Sequence, residues 1–314
     1  MAGISGYQAL REHAAWIDLS ARGKIRMTGD DRARLLHAMS TQNIQAMHPA
    51  HVHDGIPQPG DVVYTFFLNA QGRILADANV LCQEELLVID TEPELTVKLM
   101  EHLDKFIIAD DVTLEDATAQ LVTISIEGPE SEAVLKRLGA PIPPRPMTFW
   151  NWDQRIVARM SSTGSQGFFV ILPAEESKAF VDQLEIPQAS AEEARIVRLE
   201  HGHPRYGDEI TERFLAQETG QMHAVNFSKG CYLGQEIVER VRSRAQIHRV
   251  LRKLELATAE VPEPGTKLKA GDADAAEIVS AVYSPALQKT VALAYVRTTF
   301  ADHGTEIAPS VVVI

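Results

Sequence analysis

Cysteine is nearly absent from this chain, and the few residues present are not spaced for metal or cluster work. The two cysteines, Cys82 and Cys231, lie far apart. No CxxC occurs, which argues against a zinc site or a self-contained cluster site. His201, His203, His223 and His248 form no HExxH or comparable spacing, so no metal is expected. No window holds eighteen consecutive apolar residues, and no membrane span is expected. The first twenty residues carry Arg11, Glu12, His13 and Asp18 without a long apolar stretch, unlike a signal peptide. The expected location is therefore the cytoplasm, with reduced thiols. Basic residues are also in the minority, 30 Lys and Arg against 43 Asp and Glu, for a formal net charge of −13. That balance argues against stable nucleic-acid binding as the main task, because phosphate contacts need a basic surface.

What remains is a folded protein of 314 residues with 45% apolar and 23% charged content, long enough for two or three domains. Leu35, Leu36 and Met39 have helical spacing after an Asp N-cap at position 30 or 31. Residues 61–68, 73–82 and 86–90 read as three strands of a meander, and 94–106 returns to helical spacing. A strand is expected at 121–126, a helix at 130–138, a proline-stiffened connection at 141–146 and a strand at 168–172. Helices follow at 174–184 and 191–201. From about residue 248, short apolar runs at 249–256, 265–269, 277–283, 290–297 and 311–314 read as a small β-barrel or sandwich. Strands and helices without a regular βαβ repeat place the chain in the α+β class. The division expected is residues 1–245, two interleaved α+β lobes, and residues 246–314, a β-barrel domain.

The most informative segment is Lys229-Gly230-Cys231-Tyr232-Leu233-Gly234-Gln235-Glu236. Ile237, Val238 and Val241 share one helix face, which puts Cys231 just before or at a helix start. The positive end of a helix favours thiolate, and Lys229 could act in the same direction. A packed structural cysteine beside a turn is the competing reading. Upstream blocks are Asp18 to Arg26 with Thr28-Gly29-Asp30, then Leu68 to Ile74 with Asp77, then Arg198-Leu199-Glu200 leading to Tyr206-Gly207. With the octapeptide, these blocks resemble the YgfZ-type folate-binding proteins, a branch of the glycine-cleavage T-protein (GcvT) superfamily. The resemblance runs along nearly the whole chain. It implies a three-lobed ring around a central folate channel, with a C-terminal β-barrel domain, and tetrahydrofolate or another reduced folate as ligand.

The resemblance also implies roles. Asp77, otherwise a solvated residue after a hairpin, would face folate. The aminomethyltransferases of the superfamily carry two adjacent aspartates here, whereas this chain has Ala76 before Asp77. Glu200, otherwise a surface glutamate, would hold the amino-pyrimidinone edge of a pterin by paired hydrogen bonds. Gln235 and Glu236 bond the same ligand or cap a helix. Tyr232 stacks on an aromatic ring or packs in the core. Lys229 pairs with a folate carboxylate or tunes Cys231. Arg240 opens a basic stretch, with Arg242, Arg244, Arg249, Arg252 and Lys253, that completes helix and strand chemistry, binds the anionic tail of folate, or docks an acidic partner or RNA. The function implied is that of a folate-binding accessory protein for iron–sulfur cluster assembly or repair, including clusters of tRNA-modifying radical enzymes. Iron–sulfur proteins or assembly factors would be its partners and Cys231 its working thiol, with Lys229 and Asp77 in the catalytic set. A folate-dependent aminomethyltransferase or related demethylase is the alternative, and whether the chain is an enzyme stays open.

Overall fold

The computed structural model describes residues 5–244 and 247–314. A short helix, α1 (Gly6–Glu12), opens the chain, followed by β1 (Ala15–Asp18), β2 (Gly23–Thr28) and α2 (Arg32–Met39). A small hairpin, β3 (His51–His53) and β4 (Ile56–Gln58), precedes the meander β5 (Gly60–Leu68), β6 (Ile74–Cys82) and β7 (Leu87–Thr91). Next come α3 (Thr96–Asp104), β8 (Thr113–Asp116), β9 (Leu121–Glu127), α4 (Ser131–Arg137), β10 (Thr148–Trp152), β11 (Arg155–Ala158) and β12 (Gly167–Pro173). Helices α5 (Ser177–Leu184), α6 (Ala191–Glu200) and α7 (Gln235–Arg244) complete the larger part. The last part holds β13 (Arg249–Leu256), β14 (Lys267–Ala270), β15 (Ala273–Ser284), β16 (Lys289–Arg297), β17 (Glu306–Ala308) and β18 (Val311–Val313).

Ten strands form one continuous sheet in the order β1-β9-β12-β11-β10-β5-β6-β7-β2-β8. The sheet is joined in its middle by a short pairing of β10 with β5, Thr148 opposite Asp61 and Phe149 opposite Gly60. Each half buries its own core. One lies between the β5–β7 meander and α2 and α3, with Phe66, Phe67, Leu36 and Leu99 at its centre. The other lies between β9, β12, α4 and α5, around Ile126, Phe168, Leu135 and Phe180. The six C-terminal strands run β14-β15-β16-β13-β18-β17, and contacts between β14 and β17 bring the two ends together into a near-closed barrel. This mixed α and β content with a C-terminal barrel agrees with the class read from the sequence. Among the described residues no helix is long and apolar enough to cross a membrane.

The barrel is tied to the larger part by α6. Leu199 packs with Phe214, Leu251, Val291 and Tyr295, and the rings of Phe214 and Tyr295 stack at 3.6 Å. The end of α6 adds a polar tie. The Glu200 carboxylate accepts from the Tyr7 hydroxyl at 2.6 Å and the Ser284 hydroxyl at 2.5 Å, and it pairs with Arg11. One buried carboxylate thus joins α1, α6 and β15. Removing an acceptor from buried donors costs more than the bond itself, because the donors stay dehydrated. Glu200→Ala is therefore expected to lower the unfolding free energy by roughly 1.5–3 kcal/mol in a urea titration. A loss below about 0.5 kcal/mol, the range of neutral surface changes, would contradict this role.

Candidate functional site

A cavity of about 1030 Å³ opens where the two halves of the sheet, the β1–β2 turn, the β11–β12 loop and one face of α6 meet. Ala191, Ala194, Arg195 and Arg198 line it from α6, at the i, i+3, i+4, i+7 spacing of one helix stripe. α6 starts firmly because Ser190 and Glu193 form a reciprocal capping box. Arg22, Arg159 and Arg205 add positive charge to the wall, and Asp18, Asp77, Glu92 and Asp208 add negative charge.

A chain of ion pairs frames this wall. Arg22 grips Asp90 through Nη2 at 2.7 Å and Nε at 3.0 Å, and it also pairs with Glu92. Glu92 takes Arg205 at 2.8 Å on its other oxygen. Arg205 donates its backbone N–H to Glu209 at 2.8 Å, and Glu209 holds Arg198 at 2.6 Å. Asp90 and Glu209 are fully buried. Asp90 meets Lys24 at 3.3 Å, and the neighbouring Arg22 and Lys24 charges hold its carboxyl below the usual range against the opposing effect of burial. The same pairs raise the Arg22 guanidinium further above its ordinary value, against desolvation.

Asp77 sits on this wall. Successive residues of a strand point to opposite faces, so Asp77 and Asn79 reach the cavity while Ala76 enters the core beside Phe67. Tyr64 pairs with Asn79 across β5 and β6, which makes Asp77 its diagonal neighbour, and its hydroxyl donates to Asp77 Oδ2 at 2.6 Å. The ring of His223 stacks on Tyr64 at 5.5 Å and also lines the cavity. Burial pushes the Asp77 carboxyl up to about 6; the Tyr64 hydrogen bond opposes this and the Glu92 charge adds to it. His203, which also lines the cavity, is pushed down to about 4, mainly by burial and then by the Arg198 charge. The site therefore combines a carboxyl that titrates near neutrality with an imidazole that stays neutral there.

The other expected site residues do not converge on this cavity. Glu200 follows Arg198 by two positions, about 200° around the helix, so it faces α1 rather than the cavity. Its oxygens are taken by Tyr7, Arg11 and Ser284, which corrects the pterin-holding role expected for it. Lys229 is buried, and its Nζ donates to the carbonyls of Ser40 at 2.7 Å, Gln42 at 2.8 Å and His37. Burial pushes this amine down to about 7, whereas three carbonyl acceptors call for its protonated form. With all three donors engaged behind α2, Lys229 is a strut under the loop and not a partner for a ligand carboxylate. Cys231 is exposed on that loop and lies outside the cavity wall, four residues before α7.

Tyr232 is buried against Lys229, whose Nζ stands 5.0 Å from the ring centroid. Gln235 Oε1 accepts from the Tyr232 N–H at 3.3 Å, a bond within the turn that leads into α7. Glu236 and Arg240 are exposed and away from the cavity. Gly234 is required where it stands: at φ +85° a Cβ would lie 2.7 Å from the Asn69 carbonyl. Within the basic stretch, Arg242 lies over Phe227, Arg249 pairs with Glu218, and Arg252 and Lys253 donate to the Ala301 and Glu200 carbonyls. The Arg244 side chain and the boundary at 245/246 lie outside the described residues. The residues that sequence reasoning passed over are Arg22, Tyr64, Glu92, Arg198, Arg205 and the Ser161–Gly167 loop. Arg22 and Arg198 stand inside the blocks already singled out; the others carry no local signal.

Comparison with known proteins follows the same outline. The GCVT N-terminal domain matches residues 3–229, and the glycine cleavage T-protein C-terminal barrel domain matches residues 249–311. An aminomethyltransferase of Aquifex aeolicus is 27% identical over 97% of this chain and 81% of its own length. One of Streptomyces coelicolor is 28% identical over 95% and 82%. A putative chloroplastic transferase of Arabidopsis thaliana is 26% identical over 80% of this chain, which spans 58% of that longer protein. The crystal structure of the glycine cleavage system aminomethyltransferase T from Bartonella henselae superposes with a TM-score of 0.85 at 19% identity, over 98% of this chain and 86% of that one. That superposition speaks to the fold alone.

The raised Asp77 value has a testable sign. Between the ordinary carboxylate value and about 6, the folded protein binds more protons than the unfolded chain, so Asp77 lowers stability as pH rises through that window. Asp77→Asn is expected to be no more stable than wild type near pH 4 and more stable at pH 7.5, by up to about 3 kcal/mol for a two-unit shift. Denaturant titrations at both pH values check this. A difference that does not grow with pH would contradict the raised value.

Proposed function

The chain belongs to the glycine cleavage T-protein family, with its GCVT N-terminal domain and its C-terminal barrel, and from that premise we propose that it binds tetrahydrofolate or another reduced folate in the cavity around Asp77 and serves iron–sulfur proteins through Cys231. The observation that carries the folate half is the cavity itself. Its volume stands at the upper end of small-molecule sites, which suits a pteridine with its aminobenzoyl-glutamate extension. Arginines on its wall suit the anionic end of such a molecule, and Asp77 presents Oδ1 without a side-chain donor among the described residues. A carboxyl near neutrality can accept or supply a proton beside a folate nitrogen.

The thiol half rests on position. Cys231 is exposed on a loop that Lys229 pins to three carbonyls and that Gly234 turns sharply. A thiol outside the cavity is poorly placed for chemistry on a ligand within it and well placed for a macromolecular partner. This fits the YgfZ-type motif and the accessory role in assembling or repairing clusters, those of tRNA-modifying enzymes included. Folate and iron–sulfur proteins or assembly factors are the partners in this reading.

A second reading, aminomethyl transfer, has its own support. Full-length relatives carry that name. The alanine before Asp77 packs in the core beside Phe67 and is not among the residues that line the cavity.

Calorimetry and complementation separate these readings. Wild type is expected to bind tetrahydrofolate, and Asp77→Ala to weaken binding by roughly 1.5–3 kcal/mol. Cys231→Ala is expected to keep folate affinity and to fail in rescuing a cluster-maintenance defect. Robust turnover of aminomethylated carrier protein with tetrahydrofolate, together with full rescue by Cys231→Ala, would overturn the accessory role in favour of transfer.

A further inference from the structure

Glu127, at the end of β9, is fully buried and does not itself line the cavity. Its carboxylate accepts from the hydroxyls of Ser125, Ser161, Ser162 and Thr163 and from the backbone N–H groups of Ser162 and Thr163, and the Ser165 hydroxyl stands 3.3 Å from it and 2.8 Å from the Thr163 hydroxyl. Among the described residues no Lys or Arg forms an ion pair with it. A buried carboxylate without a counter-cation is costly unless its oxygens are saturated with donors, and here neutral donors alone do this. All but Ser125 come from the β11–β12 loop, whose residues 161–167 line the cavity. Gly167 lets the loop come this close, since a Cβ there would lie 2.8 Å from Glu127 Cγ.

The arrangement sets the direction of the loop's hydroxyl protons. A serine hydroxyl has one proton and two lone pairs. Ser161 Oγ donates to Glu127 at 2.7 Å and accepts from the Thr163 N–H at 3.1 Å, which leaves one lone pair. Ser162 Oγ donates to Glu127 at 2.7 Å and accepts from no described residue, which leaves two. Both serines are half-exposed on the cavity wall, with Glu127 behind them. With their protons held at the back, they offer acceptors to whatever enters, and the anion behind them strengthens those acceptors.

The geometry points to Glu127 as a positioning and specificity residue that turns Ser161 and Ser162 into an acceptor pair for the N–H groups of an amino-pyrimidinone edge, the part of a reduced pterin that carries a 2-amino group and a ring N–H. This inference rests on the folate reading above and gives the ligand a direction: its donor-rich edge meets the β11–β12 loop. A carboxylate then recognises that edge at one remove, through two serines, and Glu200 plays no part.

The test is a calorimetric comparison of tetrahydrofolate and its 2-desamino analogue on wild type, Glu127→Gln and Ser162→Ala, with folding of each variant checked by near-ultraviolet circular dichroism. Tetrahydrofolate is expected to bind wild type about tenfold more tightly than the analogue. Glu127→Gln, which puts an amide donor among donors, and Ser162→Ala, which removes one acceptor, are each expected to erase most of that preference while the analogue's affinity changes less than threefold. If Glu127→Gln does not fold, Ser162→Ala with the analogue comparison decides alone. Equal wild-type affinity for the two ligands, or equal losses for both in the variants, overturns this inference and leaves the folate reading standing. Absence of any tetrahydrofolate binding to wild type overturns the folate reading and this inference with it.

Discussion

Ion pairs and one backbone hydrogen bond run from Arg22 to Arg198 and fix the elements that surround the cavity of about 1030 Å³. Burial of apolar area is favourable and non-directional. Charged groups behave differently. Each needs a partner at a fixed distance, and removing one partner leaves the other dehydrated. Asp90 and Glu92 hold Arg22 from β7 and its end, and Glu92 passes the constraint to Arg205 beyond α6. Glu209 carries it on to Arg198, and the Tyr295 hydroxyl joins the Glu209 carbonyl to the barrel at 2.9 Å. The β5–β7 half of the sheet, α6 and the barrel therefore meet on one frame.

The same frame sets the electrostatics of the site. Glu92 faces two arginines and still adds to the rise of Asp77, while Arg22 counteracts it and Tyr64 holds one oxygen. At the β11–β12 loop, Glu127 reaches the cavity only through the hydroxyls it orients. The lining thus combines an acid near neutrality with oriented acceptors. Cys231 is not part of that lining. The loop that carries it is held to the end of α2 by Lys229, and no residue of the octapeptide lines the cavity.

Much of the fold was legible in local patterns. The β5–β7 meander shows as alternation and apolar runs, α2, α3 and α6 as helical spacing, and the barrel as short strands between turn residues, because these elements bury one face and their periodicity records it. Asp77 was singled out only through the family resemblance; read alone it is a solvated residue after a hairpin, and the strand carries a second polar residue, Asn79, on the same face. The frame was not legible, because Arg22, Glu92 and Arg205 are brought together by tertiary folding alone. Glu200 was misplaced although the signal was present: Ala191, Ala194, Arg195 and Arg198 mark the cavity stripe, and a residue two positions beyond Arg198 falls on the far side of the helix. Lys229 was read as an electrostatic partner because sequence proximity to Cys231 does not reveal that its amine turns inward to three carbonyls. Glu127 falls just past the strand expected at 121–126, and nothing near it in sequence shows the serine loop that closes over it.

The account stands or falls on Asp77 facing the ligand with a carboxyl poised near neutrality. Carbon-13 NMR of that carboxyl, titrated with and without tetrahydrofolate, tests this most directly. The account expects a midpoint at about 6 in the free protein and a clear displacement of that midpoint when tetrahydrofolate is present. A midpoint in the ordinary aspartate range, or a titration that tetrahydrofolate at saturating concentration leaves unmoved, would contradict it.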